Sequence, residues 1–234
     1  LGRAFCLALA AEGAAVCAAD LNLAGAQETA ALIAQSGGDA LAVPVDVADE
    51  ASVAAMAASA AARWGRVDVL INNAAIYATL ERKPFHAISP AEWDRVMAVN
   101  VRGPWLCARA VFPFMQAQRS GRIINIGSAT FFSGSANWSH YVTSKGAVIG
   151  LTRALAKELG DLGITVNTIA PGFTLTAASQ SLIPDAERYG VDRGAIKRPE
   201  QPEDVVGLAV FLASPAAAFI TGQTIVVDGG RQFH

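Results

Sequence analysis

Short apolar runs alternate along this chain with longer stretches in which apolar positions recur at helical spacing. The runs at 14–19, 40–45, 67–71, 122–126, 164–169 and 223–227 read as buried strands. The stretches at 3–11, 24–35, 50–64, 91–118, 141–159 and 201–212 read as amphipathic helices. Punctuation agrees with this parse. Gly37-Gly38 and Gly65 stop two helices, as glycine does at a helix C-terminus. Ser89 is placed to cap the helix that follows, with Pro90 at its first position and Glu92 expected to complete a capping box. Pro184, Gly190 and Gly194 break up the looser stretch at 174–198. Continuous apolar strands alternating with helices predict an α/β fold, a doubly wound parallel sheet with helices on both faces and right-handed crossovers.

Composition narrows the picture. A length of 234 residues without repeat, linker or low-complexity tract suits one domain, 1–234. The chain is 53% hydrophobic and 16% charged, with a net charge of -2, which argues against a nucleic-acid surface or a basic membrane face. Gly, Pro or charge interrupts every apolar stretch short of a membrane span. Cys6, Cys17 and Cys107 are scattered and odd in number, which fits a reducing, cytoplasmic compartment rather than a disulfide framework. His86, His140 and His234 form no cluster with carboxylates, so no metal site is expected.

The polar residues that end these strands carry the candidate chemistry. Asp20, Asp46, Asn72, Asn73, Ser128 and Pro171-Gly172 all follow apolar runs, at the sheet end where such folds bind ligands. Tyr141 and Lys145 lie four residues apart on one helix face. An ammonium beside a phenol favours the phenolate and is expected to lower the phenol pKa. A phenol tuned in this way can pass a proton to or from an alcohol oxygen that the Ser128 hydroxyl holds.

Taken in order, these motifs resemble the short-chain dehydrogenase/reductase family along the whole chain. Leu1-Gly2 is similar to the end of its glycine-rich phosphate turn, and Asn72-Asn73-Ala74-Ala75 to its Asn-Asn-Ala-Gly motif, with Ala75 in place of the glycine. Asn100, Ser128, Tyr141 and Lys145 match its catalytic tetrad. Pro171-Gly172 with Thr174 and Thr176 matches its nicotinamide segment, and 220–223 and 227–230 its C-terminal signature. The resemblance implies a Rossmann-type fold and hydride transfer between a carbinol carbon and a nicotinamide. Tyr141 would be the acid/base, Lys145 would hold the ribose, and Asn100 would anchor a water leading to Lys145. Leu1, Gly2, Asp46, Val47, Asn73, Ala74 and Ala75 would line the cofactor, Ala75 under strain if its loop needs positive φ. Asp20 would bind the ribose hydroxyls and repel a 2′-phosphate; Leu21 follows it rather than an arginine, which favours NAD over NADP. Arg3 is the contrary hint, read as a helix-surface cation. The family's first strand and the start of its glycine-rich turn are expected to be missing from this sequence, leaving two strand edges open. A homotetramer is implied, built on the helices at 91–118 and 141–159 and on the last strand.

Substrate choice is written less clearly. Ser128, Thr130, Tyr141 and Phe173 are the expected substrate contacts, with Tyr77, Phe131, Phe132 and Trp138 as a possible aromatic lining. The lid, 174–198, mixes Leu182 and Ile183 with Asp185, Glu187 and Arg188 and shows no charge preference. An apolar or aryl secondary alcohol or ketone is the expectation, with some likeness to the family's aryl-alcohol and pyridoxal dehydrogenases. The alternatives are a 3-oxoacyl-carrier-protein reductase, a sugar or polyol dehydrogenase, and a non-catalytic NAD-binding regulator.

Overall fold

The structure, a computed structural model, describes residues 1–180, 183 and 185–233. Leu182 and Pro184 of the expected lid, and His234, lie outside the described residues. In chain order the elements are α1 (Gly2–Ala11), β1 (Val16–Asp20), α2 (Leu23–Gln35), β2 (Ala40–Pro44), α3 (Glu50–Trp64) and β3 (Val69–Asn72). Next come α4 (Pro90–Met97), a π-helical turn (Ala98–Arg102), α5 (Gly103–Gln118), β4 (Gly121–Ile126), α6 (Thr130–Ser133) and α7 (Ser139–Leu159). The chain closes with β5 (Ile164–Pro171), α8 (Ala177–Gln180), α9 (Pro202–Ala213) and β6 (Thr224–Val227).

Local chemistry sets most boundaries. Asp49 accepts from the Ala51 and Ser52 amides at the start of α3. At its end Gly65 turns left-handed at φ 72°, and its N–H donates to the Ala61 carbonyl. Ser89 caps α4 as expected, accepting from the Glu92 amide. The capping box is not completed, however. The Glu92 carboxylate turns away to Lys83 Nζ at 2.7 Å and His140 Nε2 at 3.3 Å, because two nearby nitrogens outcompete a single backbone N–H.

All strand pairs are parallel, but the expected continuous sheet is two sheets, β1–β2 and β3–β4–β5–β6. β1 and β3 do not pair. Each keeps one edge free, the pair of open edges the sequence suggested, and both line a cleft of about 870 Å³. The chain runs outward from β1 to β2, then returns across the cleft to β3, so its direction of winding reverses here.

The larger sheet is the better buried. Every residue of β5 is buried, and Ile123, Ile164 and Val166 pack with Met115 and Val111 of α5 on one face. On the other, Ile124, Ile126 and Ile169 pack with Val205, Ala209 and Leu212 of α9. A chain of buried side-chain hydrogen bonds crosses this half. Asn72 Nδ2 donates to Asn125 Oδ1 at 2.8 Å, Asn125 Nδ2 to Thr152 Oγ1 at 2.8 Å, and Thr152 pairs with Thr168 at 2.7 Å. These bonds fix α7 over the sheet with its first turns at the carboxyl ends of the strands.

Candidate active site

Lys145 sits one turn beyond Tyr141 on the buried face of α7; the two are 4% and 5% exposed. The ammonium donates to the Ile126 carbonyl at the end of β4, 2.8 Å away, and lies 5.7 Å from the Tyr141 ring centroid. Burial lowers its pKa to about 8. Two residues past the end of β4, Ser128 faces the Tyr141 phenol. The turn that brings it there needs Gly127, where a Cβ would come within 2.7 Å of the Thr168 side chain.

The phenol does not titrate as the sequence suggested. Burial, reinforced by Tyr77, pushes the Tyr141 pKa up; Ser128 pulls the other way and is outweighed. A lysine whose own charge is penalised by the same burial does not reverse that balance. Near neutral pH Tyr141 is therefore the acid form, ready to give a proton.

Asn100 is 1% exposed, within the π-helical turn between α4 and α5. Such turns widen a helix and often mark functional positions. Its Oδ1 accepts from the Ile76 amide at 2.7 Å, and its Nδ2 donates to the Ile76 carbonyl at 3.2 Å and to Ser144 Oγ at 3.1 Å. The side chain thus ties the loop after β3 to α7, between Tyr141 and Lys145. It is spent on protein groups rather than turned toward Lys145.

The other site residues divide between two cavities that share Asn73. The cleft between the sheets is lined by Gly2, Asp20, Val47, Asn73 and Ala74. There Asp20 Oδ1 accepts from the Asn22 amide at 2.9 Å; Asp46, expected to line the cofactor, is not in the lining, and its Oδ1 accepts from the Ala48 amide at 2.9 Å. Leu21 is 77% exposed and lines neither cavity. Arg3 bonds Glu28 of α2, as a helix-surface cation should. Ala75 carries no positive φ, so the strain raised for that position is absent.

The second cavity, about 270 Å³, is lined by Ser128, Thr130, Tyr141, Lys145, Leu1, Ala75 and the segment Pro171, Gly172, Phe173, Thr174 and Thr176. Tyr77, Trp138 and Tyr141 form one aromatic cluster, with centroids 4.6 to 5.5 Å apart. Phe173 stacks on Tyr189 at 4.7 Å. Phe131 and Phe132 were expected in this lining and are not among it. They meet each other at 5.2 Å, and Phe131 lies over Gly146, because α6 turns it toward the outer side of α7.

Three features here were not singled out from sequence. Glu200 accepts from the Gly172 amide at 3.1 Å and from Thr174 Oγ1 at 2.6 Å, so it holds the segment after β5. Burial raises its pKa to about 7 despite those two bonds, with Asp228 and Asp204 adding to the rise. Arg82 and Arg231 enter the second cavity from loops far apart in sequence. Only the chemistry of Glu200, an acid two residues before a helix-opening proline, could have drawn the eye.

The residues suited to a nicotinamide dinucleotide lie at the carboxyl ends of the strands: the acid Asp20 ends β1, Asn73 follows β3 and lines both cavities, and Tyr141 and Lys145 lie beyond β4. A Cβ at Gly172 would fall 2.6 Å from Glu200 Oε2 and 2.9 Å from Asp228 Cβ, so that wall depends on the missing side chain. A parallel α/β sheet with this serine, tyrosine and lysine at its carboxyl end defines an oxidoreductase that moves hydride and proton separately.

Comparison with known proteins agrees. A family model described as enoyl-(acyl carrier protein) reductase matches residues 1–232. The short-chain reductase protein NovJ of Streptomyces niveus is 40% identical over 99% of this chain and 89% of its own. The 3-oxoacyl-[acyl-carrier-protein] reductase FabG of Staphylococcus aureus is 37% identical over 98% of this chain and 93% of its own. The crystal structure of levodione reductase superposes with a TM-score of 0.91 at 33% identity, covering 98% of this chain and 92% of that one. The chain belongs to the short-chain dehydrogenase/reductase family, whose members act on CH–OH or keto groups with a nicotinamide cofactor. Among the described residues no helix is long and apolar enough to cross a membrane.

Proposed function

We propose that this protein is an NAD-dependent oxidoreductase that interconverts a secondary alcohol and a ketone, with an apolar or aryl body on the substrate. The observation that carries the reading is the Tyr141 phenol, buried between Ser128 and Lys145 at the floor of an aromatic-walled cavity. The substrate oxygen sits against Tyr141 and Ser128. The Ser128 hydroxyl holds it while the phenol, in its acid form, donates a proton to a carbonyl; in the reverse direction the phenolate so formed takes the proton of an alcohol. When bound, the nicotinamide supplies or accepts the hydride. Lys145, anchored on the Ile126 carbonyl, would hold the ribose of the cofactor and place a positive charge near the phenol, and Asn100 holds the α7 turn that carries both residues.

Asp20 supports NAD over NADP: its carboxylate lines the cleft, Leu21 follows it, and Arg3 is engaged with Glu28. On this reading residues 1–234 are one nucleotide-binding domain with 174–198 as lid, working as a cytoplasmic homotetramer. Light scattering that returned a monomer would refute the assembly. A second reading, reduction of a 3-oxoacyl group on a carrier protein, is favoured by the names of the Staphylococcus aureus and Synechocystis relatives. The test follows reduced-nicotinamide absorbance with NADH and NADPH over aryl ketones, aliphatic ketones, keto sugars and an acetoacetyl-carrier protein. Turnover of aryl ketones with NADH is expected. Turnover with NADPH alone, or of the carrier thioester alone, would replace this reading.

A further inference from the structure

The second cavity carries a charge that neither the proton chemistry nor the aromatic wall uses. Arg82, from the loop after β3, Arg231, just past β6, and Tyr189 meet at its edge. The Arg82 guanidinium lies over the Trp138 ring at 4.5 Å, and that of Arg231 lies over the Tyr189 ring at 5.5 Å. Stacking of this kind orients a guanidinium while leaving its edge donors free. The Tyr189 hydroxyl faces both cations. Burial alone would raise its pKa, yet Arg82 and Arg231 together hold it below the ordinary phenol value.

Arg3, Arg63, Arg66, Arg109 and Arg198 each pair with a carboxylate at 2.8 Å or less. Among the described residues the other arginines do not, and of these Arg82 and Arg231 alone line this cavity. No Asp or Glu lines the cavity among the described residues, while Lys145 adds a third cation at its floor. Two guanidinium groups turned to one space repel unless an anion lies between them, and a carboxylate matches their planar donor pairs.

We propose that Arg82, Arg231 and the Tyr189 hydroxyl form a carboxylate subsite, so that the substrate is a keto or hydroxy compound with an apolar body and an acid group at the end remote from the reacting carbon. The body lies against Tyr77 and Trp138, with the reacting oxygen on Ser128 and Tyr141. This inference rests on the reading of the cavity as the substrate site of an oxidoreductase.

The test is a matched pair of probes, 4-acetylbenzoate and its neutral amide 4-acetylbenzamide. Their binding to the whole protein is measured calorimetrically with and without saturating NADH or NADPH. The acid is expected to bind at least about tenfold more tightly than the amide, as charge-assisted hydrogen bonds allow. That ratio should fall toward one in Arg82→Gln/Arg231→Gln, survive largely in Arg82→Lys/Arg231→Lys, and narrow in Tyr189→Phe. Circular dichroism shows which variants are folded, and the Tyr189→Phe arm does not depend on losing either charge. Equal affinities in the unmodified protein would overturn the subsite, as would a ratio that survives removal of both arginines, or failure of both probes to bind. Charge discrimination without turnover of any ketone would leave the subsite standing and sink the hydride-transfer reading instead.

Discussion

The two halves of this molecule hold their functional residues by different means. Around β3–β6 the site is fixed by buried, long-range side-chain bonds: Asn72 to Asn125 to Thr152 to Thr168, Asn100 to Ser144, and Lys145 to the Ile126 carbonyl. Around β1–β2 the acids sit in short loops closed on themselves, Asp20 on the Asn22 amide and Asp46 on the Ala48 amide. The first kind of bond exists only when the whole sheet and α7 are in register. The second forms wherever the local chain turns. Proton transfer needs groups placed within fractions of an ångström, whereas a ribose needs only an acid at a loop tip. On the proposed function, the division of labour follows from that requirement.

The largest expected effect tests the rigid half. Tyr141→Phe removes the proposed proton donor and keeps the ring that packs on Trp138 at 4.6 Å. Turnover should fall by at least about a hundredfold. Cofactor binding, read by quenching of protein fluorescence, should stay within about threefold. Residual turnover near the parent level would mean that another group moves the proton.

Next in size is a direct contrast between the halves. Asn125→Ala breaks the buried chain at its centre and strands Asn72 Nδ2 with only a 3.3 Å bond to the Pro104 carbonyl. It should cost about 2–4 kcal/mol in urea unfolding, from lost hydrogen bonds and a small cavity. Asp46→Ala, which opens one exposed local turn, should cost no more than about 1 kcal/mol. Equal costs would erase the distinction between the halves.

The same distinction explains what could be read from sequence. Strand runs, most helix limits and the Ser128, Tyr141 and Lys145 constellation were legible because each is a local pattern with a fixed spacing. Arg82, Tyr189 and Arg231 were not: they come from three loops without periodicity, and only the fold brings them together. Phe131 and Phe132 misled because adjacency to Ser128 says nothing about the direction in which α6 turns them. Glu92 misled because a capping box is a local rule, and Lys83 and His140 are tertiary competitors for its carboxylate. The tyrosine pKa was misread for a related reason. Spacing on a helix reveals the nearby charge but not the depth of burial that outweighs it.

A smaller effect is expected at Glu200, where burial holds a carboxyl with pKa raised to about 7 against Gly172 and Thr174. The groups that face it are Asp228 and Asp204, which raise it, with Arg198 paired to Asp204 nearby. The folded protein holds this proton more tightly than the unfolded chain does. Its stabilisation is therefore complete below the ordinary value of 4.5 and is lost as pH rises through about 7. Asp204, lowered to about 2, stays ionised across that window. Glu200→Gln cannot titrate, and groups common to both proteins cancel in the difference. Parallel melts should show the parent losing about 5 °C relative to the variant between those limits. Parallel curves would mean that the carboxyl is charged throughout and that the segment after β5 is held by an anion.

The smallest effect lies where the halves join. Ala75 stands where the motif that Asn72-Asn73-Ala74-Ala75 resembles places glycine, two residues beyond the Asn73 that lines both cavities. A glycine demanded by positive φ would make alanine a strained substitute there, but among the described non-glycine residues only Arg119 and Asn137 have positive φ. The loop is instead held from outside, by Asn100 on the two backbone groups of Ile76. Ala75→Gly should therefore relieve nothing. It should destabilise by about 0.5–1 kcal/mol, through the greater freedom it gives the unfolded chain. The specificity constant should stay within about twofold. A stabilised or markedly faster Ala75→Gly variant would show that this loop stores strain, and that the rigid half begins before Asn100 rather than at it.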